Sequence, residues 1–347
     1  MHLTRRGYAV VGIVIAGIVL GAQYGPRSLN AVVAPLVIAL VAAYVQLRRV
    51  EEPVVRRTVP EDGFVGDSVT VHLEFDVENS MTGSVIDEVD GGLEPSGNDV
   101  ATTIGPSTEI QYDARIERRG QRVVGPATIT VTDVLGLAEV TFHGSTRDRF
   151  LAYPRLYDLT GSTRYELDLL ADDALQHSRE EFDRLREYDR GDSLRDVHWK
   201  SSAKRTDDDL IVKEFVAEVD LGSITIVAAS DEDGGETMAS AAASVALYFL
   251  DMGIEVGVVA PDGTVPQGAG GSQRLSILSL LALTDTGPAE GGATGDVEIY
   301  GHEDGATIHL DGRSIPFGDL ATTTFGGEDR PTIVSSRTDD SRLEVEA

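Results

Sequence analysis

Two stretches near the start of the chain carry no charge at all. Tyr8–Tyr24 reads YAVVGIVIAGIVLGAQY and Leu29–Leu47 reads LNAVVAPLVIALVAAYVQL. A helix needs about 20 apolar residues to cross the hydrocarbon core of a bilayer, with about 17 near the lower limit. The pattern therefore predicts transmembrane helices over 8–24 and 29–47. A signal peptide is the rival reading of the first stretch, because Arg5 and Arg6 give it a basic start. The segment GAQYGPRS is a poor small-residue cleavage site, however, and a second apolar stretch follows at once. A two-helix hairpin is the better reading. Tyr8, Tyr24 and Tyr44 lie where interfacial aromatics belong, and Pro35 is tolerated in lipid, where neighbours satisfy the freed carbonyl. Arg5 and Arg6 precede the first helix, Arg48, Arg49, Arg56 and Arg57 follow the second, and the connection holds only Arg27. The positive-inside rule then predicts a multi-pass protein of the cell membrane with both termini cytoplasmic, residues 1–7 included.

From 53 to 150 the period becomes two. In DSVTVHLEFDVEN, Val69, Val71, Leu73, Phe75 and Val77 share one face and Thr70, His72, Glu74 and Asp76 the other, the mark of a half-buried antiparallel strand. SVIDEV, EIQYDARIER and ATITVTDVLGLAEVTF repeat the style, with Gly, Pro and Asn between them. Short strands at this spacing predict an all-β sandwich of immunoglobulin-like type, without the Cys–Trp–Cys signature of antibody domains. His72 and His143 fall on these strands without metal-ligand spacing and read as surface or core-edge residues.

After a linker over 151–177 the period changes again. Phe182, Leu185 and Tyr188 recur in steps of three, which predicts a helix broken at Gly191. Ser193 with Asp196 resembles a capping box opening a second short helix. DDDLIVKEFVAE reads as an acidic turn and a strand. Beyond 220, SITIVAA and IEVGVVA read as buried strands, and ETMASAAASVALYFLDMG as a helix capped by Gly253. SQRLSILSLLALT reads as another helix, and ATIHLDG and PTIVSS as later strands. This alternation predicts a mostly parallel sheet with helices on its faces over 178–335. Ala239, Ala242, Ala243 and Ala246 permit a close helix–sheet approach. The glycine-rich APDGTVPQGAGGSQR lacks a phosphate-loop G-K-[ST] ending and reads as a flexible loop. Residues 285–295 read as another flexible connection, and 336–347 as a disordered tail.

Composition narrows the chemistry. The formal net charge is −29, and of 29 basic residues only Lys200, Lys204 and Lys213 are lysine. Such an acidic, lysine-poor balance resembles proteins of salt-loving archaea, whose dense surface charge is tolerated because high salt screens self-repulsion to a few Å. Nucleic acid is not expected as a partner, since phosphate binding wants a large basic face. No cysteine is present, which removes disulfides, thiolate nucleophiles and thiolate metal sites together.

Against that background YDRGDSLRDVHWKSSAKR stands out. From Arg184 to Arg205 there are seven basic residues and four acidic ones, and the stretch holds the only tryptophan, Trp199. Arg can replace Lys as a charge but not as a compact, flexible ammonium. Three functional readings compete with a purely structural one, in which Asp192 caps, Arg195 and Asp196 pair, and Trp199 fills core. Arg195, Lys200, Lys204 and Trp199 suit a docking surface with an aromatic anchor. The second helix's N-terminus suits an anion or nucleotide. Asp192, His198 and Lys200 suit acid–base work, although no separate nucleophile or base points to them.

The same residues carry a family resemblance. EFDRLREYDRGDSLRDVHWKSSAKRTDDDLIVKEF is similar to the hallmark of the domain of unknown function 58 family, on Arg186, Tyr188, Gly191, Asp192, Arg195, Val197, Trp199, Lys200, Ser202, Ala203 and Lys204, then Val212, Lys213 and Glu214. Upstream, Asp133, Gly136 and Leu137 resemble its DxxGL segment and FLAYPRL its next link; two N-terminal membrane helices also fit. The resemblance implies a von Willebrand factor A-like α/β domain at the C-terminal end, bearing the motif at 186–214. The fold class expected is thus two N-terminal transmembrane helices, an all-β immunoglobulin-like sandwich and an A-type α/β domain. Genes of the family often neighbour those of MoxR-type AAA+ ATPases, which implies such an ATPase as protein partner and a role in membrane-side assembly or chaperoning. A-type domains often carry a metal-binding D-x-S-x-S after the first strand. Here that position reads VAASDEDGGET, with the expected aspartate replaced by alanine and the spaced serines absent. Asp231, Glu232 and Asp233 read as a loop, and neither metal nor cofactor is expected. The reading is a non-enzymatic scaffold or adaptor docking through Arg186, Tyr188, Gly191, Asp192, Arg195, His198, Trp199, Lys200, Ser202, Lys204 and Lys213. The alternative is a hydrolase or nucleotide-dependent enzyme using Asp192, His198 and Lys200.

Overall fold

The computed structural model describes residues 1–24, 30–59, 61–159, 164–165, 167–172, 184–187, 211–214, 222–310, 312–319 and 321–324. The chain forms two compact units, Met1–Tyr153 and Pro154–Ala347.

The first unit opens with a two-residue strand, β1 (His2–Leu3), and two helices, α1 (Arg5–Tyr24) and α2 (Asn30–Arg48). Both helices are long and apolar enough to cross a membrane. They leave Ile13, Ile15 and Ile18 of α1 and Val32, Ile38 and Val41 of α2 exposed, unlike the buried helices of a soluble core. Ten strands follow: β2 (Val54–Thr58), β3 (Gly63–Phe64), β4 (Ser68–Asp76), β5 (Met81–Val89), β6 (Leu93–Ser96), β7 (Asp99–Ile104), β8 (Glu109–Ile116), β9 (Gly120–Thr132), β10 (Ala138–His143) and β11 (Asp148–Tyr153). One sheet is antiparallel, in the order β2-β4-β8-β6. The other is built on the long β9, which pairs with β10, β11 and β5; β1 extends it beyond β10, β3 beyond β11 and β7 beyond β5. Period-two patterning decides which faces meet. Val69, Val71, Leu73 and Phe75 of β4 and Ile110, Tyr112, Ala114 and Ile116 of β8 are buried, while their neighbours along each strand face outward. Val85, Ile129 and Val131 of the other sheet join the same core, as do Ala43 and Leu47 from the last turns of α2.

Arg57 needs a correction. Its place in the sequence counts it among the charges flanking the second helix, yet its side chain is 0% exposed. It belongs to the interior of the sandwich, so only its neighbour Arg56 remains an exposed charge at that position.

The second unit contains β12 (Tyr157–Leu159), β13 (Arg184–Glu187), β14 (Ile211–Glu214), β15 (Ser223–Ser230), α3 (Gly235–Asp251), β16 (Glu255–Ala260), β17 (Gly263–Val265), α4 (Gly270–Leu283), β18 (Val297–His302), β19 (Gly305–Leu310), β20 (Arg313–Pro316) and β21 (Ala321–Thr324). Its main sheet runs β17-β16-β15-β18-β19-β20. Only the pairings of β15 with β16 and with β18 are parallel. The sheet is therefore mixed rather than mostly parallel, because β16–β17 and β18–β19–β20 are joined by short turns, which only antiparallel strands allow. The glycine-rich APDGTVPQGAGGSQR contains that β17 hairpin strand and is not simply a loop. The helices α3 and α4 also differ from expectation. Both α3 and α4 pack on β16 and against each other, so they share one face of the sheet. Along β18, accordingly, Val297, Ile299 and Gly301 are buried while Glu298, Tyr300 and His302 are exposed. The alanine-rich face of α3 is fully buried, as its small side chains suggest. Gly301 lets α3 begin hard against β18: a Cβ there would meet the Gly234 carbonyl oxygen at 2.1 Å and Met238 Cβ at 2.7 Å.

Candidate functional site

The motif stretch is bracketed by a strand pair. Arg184–Glu187 is not the helix that the three-residue spacing of Phe182, Leu185 and Tyr188 predicts. It is β13, antiparallel to β14, with Arg186 opposite Val212, Leu185 opposite Lys213 and Glu187 opposite Ile211. Cross-strand pairing overrides a local period carried by so few residues. The strand expected around VKEF is present as β14. The ladder places Arg186 and Lys213 on neighbouring strands and joins the two ends of the motif. Tyr188, Gly191, Asp192, Arg195, His198, Trp199, Lys200, Ser202 and Lys204 lie outside the described residues, as do the short helix expected at Ser193, the strand PTIVSS and the tail 336–347.

At the carboxyl end of the central strand, β15 runs through Ser230, one residue further than the sequence suggests. The first residue after it is therefore Asp231 and not an alanine. Asp231 is engaged internally: its Oδ1 accepts the Asp233 amide at 3.2 Å, and its Oδ2 lies 3.3 Å from His302 Nδ1. The positions two and four beyond it are Asp233 and Gly235, not serine. Among the described residues no group of three or more His, Asp or Glu could hold a metal ion. A shallow cavity of about 410 Å³ lies beside this strand end on the face opposite α3 and α4, lined by Val227, Ala229, Glu298, Tyr300 and His309 among others.

The DxxGL segment has a clear structural task. Asp133 is 4% exposed. Its carboxylate accepts the backbone N–H groups of Leu135 (2.9 Å), Leu137 (2.6 Å) and Ala138 (2.7 Å). The Gly136 amide donates to the Asp133 carbonyl at 2.9 Å, and Gly136 takes φ +66°, a left-handed conformation that favours glycine. Thr4 fastens this turn to α1. Its hydroxyl accepts the Gly7 amide at 3.1 Å, as a helix N-cap does, and donates to the Gly136 carbonyl at 2.6 Å. The Thr4 amide donates to the Leu137 carbonyl at 3.0 Å. Gly7 has to be glycine, since a Cβ there would lie 2.0 Å from that same carbonyl oxygen.

Sequence reading also missed a buried ionic network. From β2, Arg57 Nε and Nη2 donate to the two carboxylate oxygens of Asp87 on β5, and Nη1 donates to Asp148 at 2.9 Å and to the Thr146 carbonyl at 3.2 Å. Tyr112 of β8 donates its hydroxyl to Asp87 at 2.7 Å. The network ties one sheet (β2, β8) to the other (β5, β11). Burial opposes the charge on Arg57, but hydrogen bonds to Asp87 and Asp148 more than offset it, and its pKa stands above the ordinary value. Burial, and then the bond to Asp87, push the Tyr112 phenol upward. An Arg beside another Arg and a lone Asp in a strand are ordinary in so charged a chain, so nothing in the sequence paired them. His72, by contrast, is the surface residue expected, 2.8 Å from Glu109 on the adjacent strand.

No curated protein matches the chain. Among solved structures, it is similar to an alpha-2-macroglobulin from Escherichia coli at 16% identity and TM-score 0.26, covering 31% of this chain and 17% of that one. It is also similar to a CARDB domain from Pyrococcus furiosus solved with di-metal ions (14%, TM-score 0.22, 30% of this chain and 94% of that one). A PKD domain of an M14-like peptidase from a Thermoplasmatales archaeon gives 19%, TM-score 0.19, 28% of this chain and 97% of that one. The chain thus spans under a fifth of that Escherichia coli chain, which itself runs from domain MG7 to the C-terminus. Over residues 184–304 the chain matches the family described as "Protein of unknown function DUF58", in agreement with the resemblance carried by its motif from Arg186 to Glu214.

Proposed function

We propose that the chain is a membrane-anchored, non-enzymatic scaffold that presents its basic motif to a protein partner on the cytoplasmic side of the cell membrane. The observation that carries this reading is the β13–β14 ladder. It brings the two ends of the motif together on neighbouring strands, and the motif from Arg184 to Arg205 carries seven basic residues against four acidic ones in a chain of −29. Charge opposition of that kind steers and selects a partner. The family resemblance names its class: a MoxR-type AAA+ ATPase, in assembly or chaperoning at the membrane. A central β15 flanked by parallel strands and followed by α3 supports the A-type reading of the second unit, with the placement of α3 and α4 on one face as its departure. The acidic, lysine-poor composition supports a salt-loving archaeal origin.

The anchor is read as a hairpin with both ends on one side. β1 precedes α1 in sequence yet pairs with β10 of the sandwich, which follows α2. An odd number of crossings would separate those strands, and a cleaved leader would remove β1 altogether.

The test is a crosslinking pull-down of the full-length protein from native membranes in high salt, with Arg195→Glu beside His198→Ala. Docking predicts that the charge reversal loses the partner and the histidine change does not. Loss with His198→Ala alone favours the enzyme reading, and loss of thermal stability in Asp192→Ala and Trp199→Ala a purely structural motif.

A further inference from the structure

The β9–β10 turn exposes two large apolar side chains where turns ordinarily carry polar ones. Val134 is 84% exposed and Leu135 55%. They occupy the two central positions of the Asp133–Gly136 turn, where Asp, Asn, Gly and Ser are the usual residues. The turn is rigid, being pinned from inside by the Asp133 carboxylate, so the two side chains are held out rather than left loose.

Register gives the direction in which they point. β1 runs from His2 to Leu3 toward the start of α1, and it is antiparallel to β10, with His2 opposite Glu139 and Leu3 opposite Ala138. β10 therefore runs away from the start of α1, and the turn that precedes it projects toward the side on which α1 departs. Thr4, the N-cap of α1, bonds directly to Gly136 and Leu137 of this turn. Depth follows from helix length. The uncharged stretch of α1 from Tyr8 to Tyr24 spans about 25 Å at about 1.5 Å per residue. That falls short of the roughly 30 Å hydrocarbon core. A helix this short draws its flanking residues into the interface, and Thr4 lies one turn from Tyr8.

We propose that Val134 and Leu135 form a third membrane contact, a rigid apolar wedge inserted at the headgroup–acyl boundary beside α1. The wedge rests on the hairpin reading above. It adds a third point of attachment to the two helices, which are themselves fastened to the sandwich through Thr4 and through Ala43 and Leu47. Burial of apolar side chains at this depth is the same driving force that seats interfacial amphipathic helices.

The absence of cysteine makes the test direct. Single-cysteine variants Leu135→Cys, Ile13→Cys and Ser145→Cys of the full chain are labelled with an environment-sensitive fluorophore. Each is reconstituted in phosphatidylcholine–phosphatidylglycerol vesicles containing lipids with a nitroxide near the headgroup or along the acyl chain. Ile13 lies within α1, and Ser145 lies beyond the far end of β10. The expected result is strong quenching and a blue-shifted emission at 135 and 13, with neither at 145. Quenching at 13 with a water-like signal at 135 overturns the wedge and leaves the hairpin standing. No quenching at 13 overturns the hairpin and the wedge with it. Shielding of 135 in native membranes but not in the lipid-only vesicles assigns the tip to a protein and also overturns the wedge.

Discussion

Replacing Asp87 by alanine removes the acceptor of three hydrogen bonds, from Arg57 Nε, Arg57 Nη2 and Tyr112 Oη. The Arg57 side chain is 0% exposed, as is that of Asp87, so no water is at hand to replace them. Breaking a buried ion pair from one side costs about 3–5 kcal/mol, because the remaining charge is left in a poorly solvating interior. Asp148 still neutralises part of the guanidinium charge at 2.9 Å, which holds the cost toward the lower end. The orphaned Tyr112 hydroxyl adds about 1–3 kcal/mol in the other direction. The net expectation is a loss of about 3–5 kcal/mol, equivalent to about 6–20 °C in the melting temperature of a unit of this size. The assay is pulse proteolysis of the detergent-solubilised full chain across a urea gradient. It is scored on peptides from β4 and β8, so that the two units are followed separately. Asp76→Ala is the control: it breaks the Arg56–Asp76 pair, whose side chains are 71% and 70% exposed, and should change stability by no more than about 1 kcal/mol. Molar salt should leave the difference between the two variants in place, because buried pairs are screened far less than exposed ones. The triple variant Arg57→Met/Asp87→Leu/Tyr112→Phe should recover most of the loss, since an apolar set of similar volume leaves no buried charge. If Asp87→Ala costs no more than Asp76→Ala, the network does not bind the sheets and the reasoning is refuted.

Two further outcomes follow from the same unit. Gly7→Ala should loosen the first turn of α1 from the sandwich, because the new methyl would overlap the Leu137 carbonyl oxygen. Faster amide exchange in β1 and β10, with the rest of the sheet unchanged, is the readout. The raised Tyr112 pKa sets an alkaline limit: the unfolded phenol loses its proton above about pH 10 while the folded one keeps it, so stability is intact below about 10 and then falls by up to about 1.4 kcal/mol per pH unit. Urea midpoints measured from pH 8 to 11 should show this fall, and it should be smaller in Tyr112→Phe.

What the chain determines by itself is local. Charge-free runs of bilayer length, the period-two alternation of β4 and β8, and the small-residue face of α3 each repeat a single physical preference over many residues, and each was legible before any contact was known. Tertiary structure decided what no local window contains. It placed Arg57 inside the sandwich rather than at the membrane surface, because its partners Asp87 and Asp148 lie on strands remote in sequence. It made Arg184–Glu187 a strand, because pairing with Ile211–Glu214 outweighs a three-residue period. It extended β15 to Ser230, because pairing with β18 continues there, and so put Asp231 where an alanine was expected. It also set the Val134–Leu135 turn against Thr4, since a two-residue strand has too few residues to announce itself and forms only when β10 supplies its hydrogen bonds. Long-range pairing, which depends on which segments meet, is the part of the free energy that a sequence states only once it is folded.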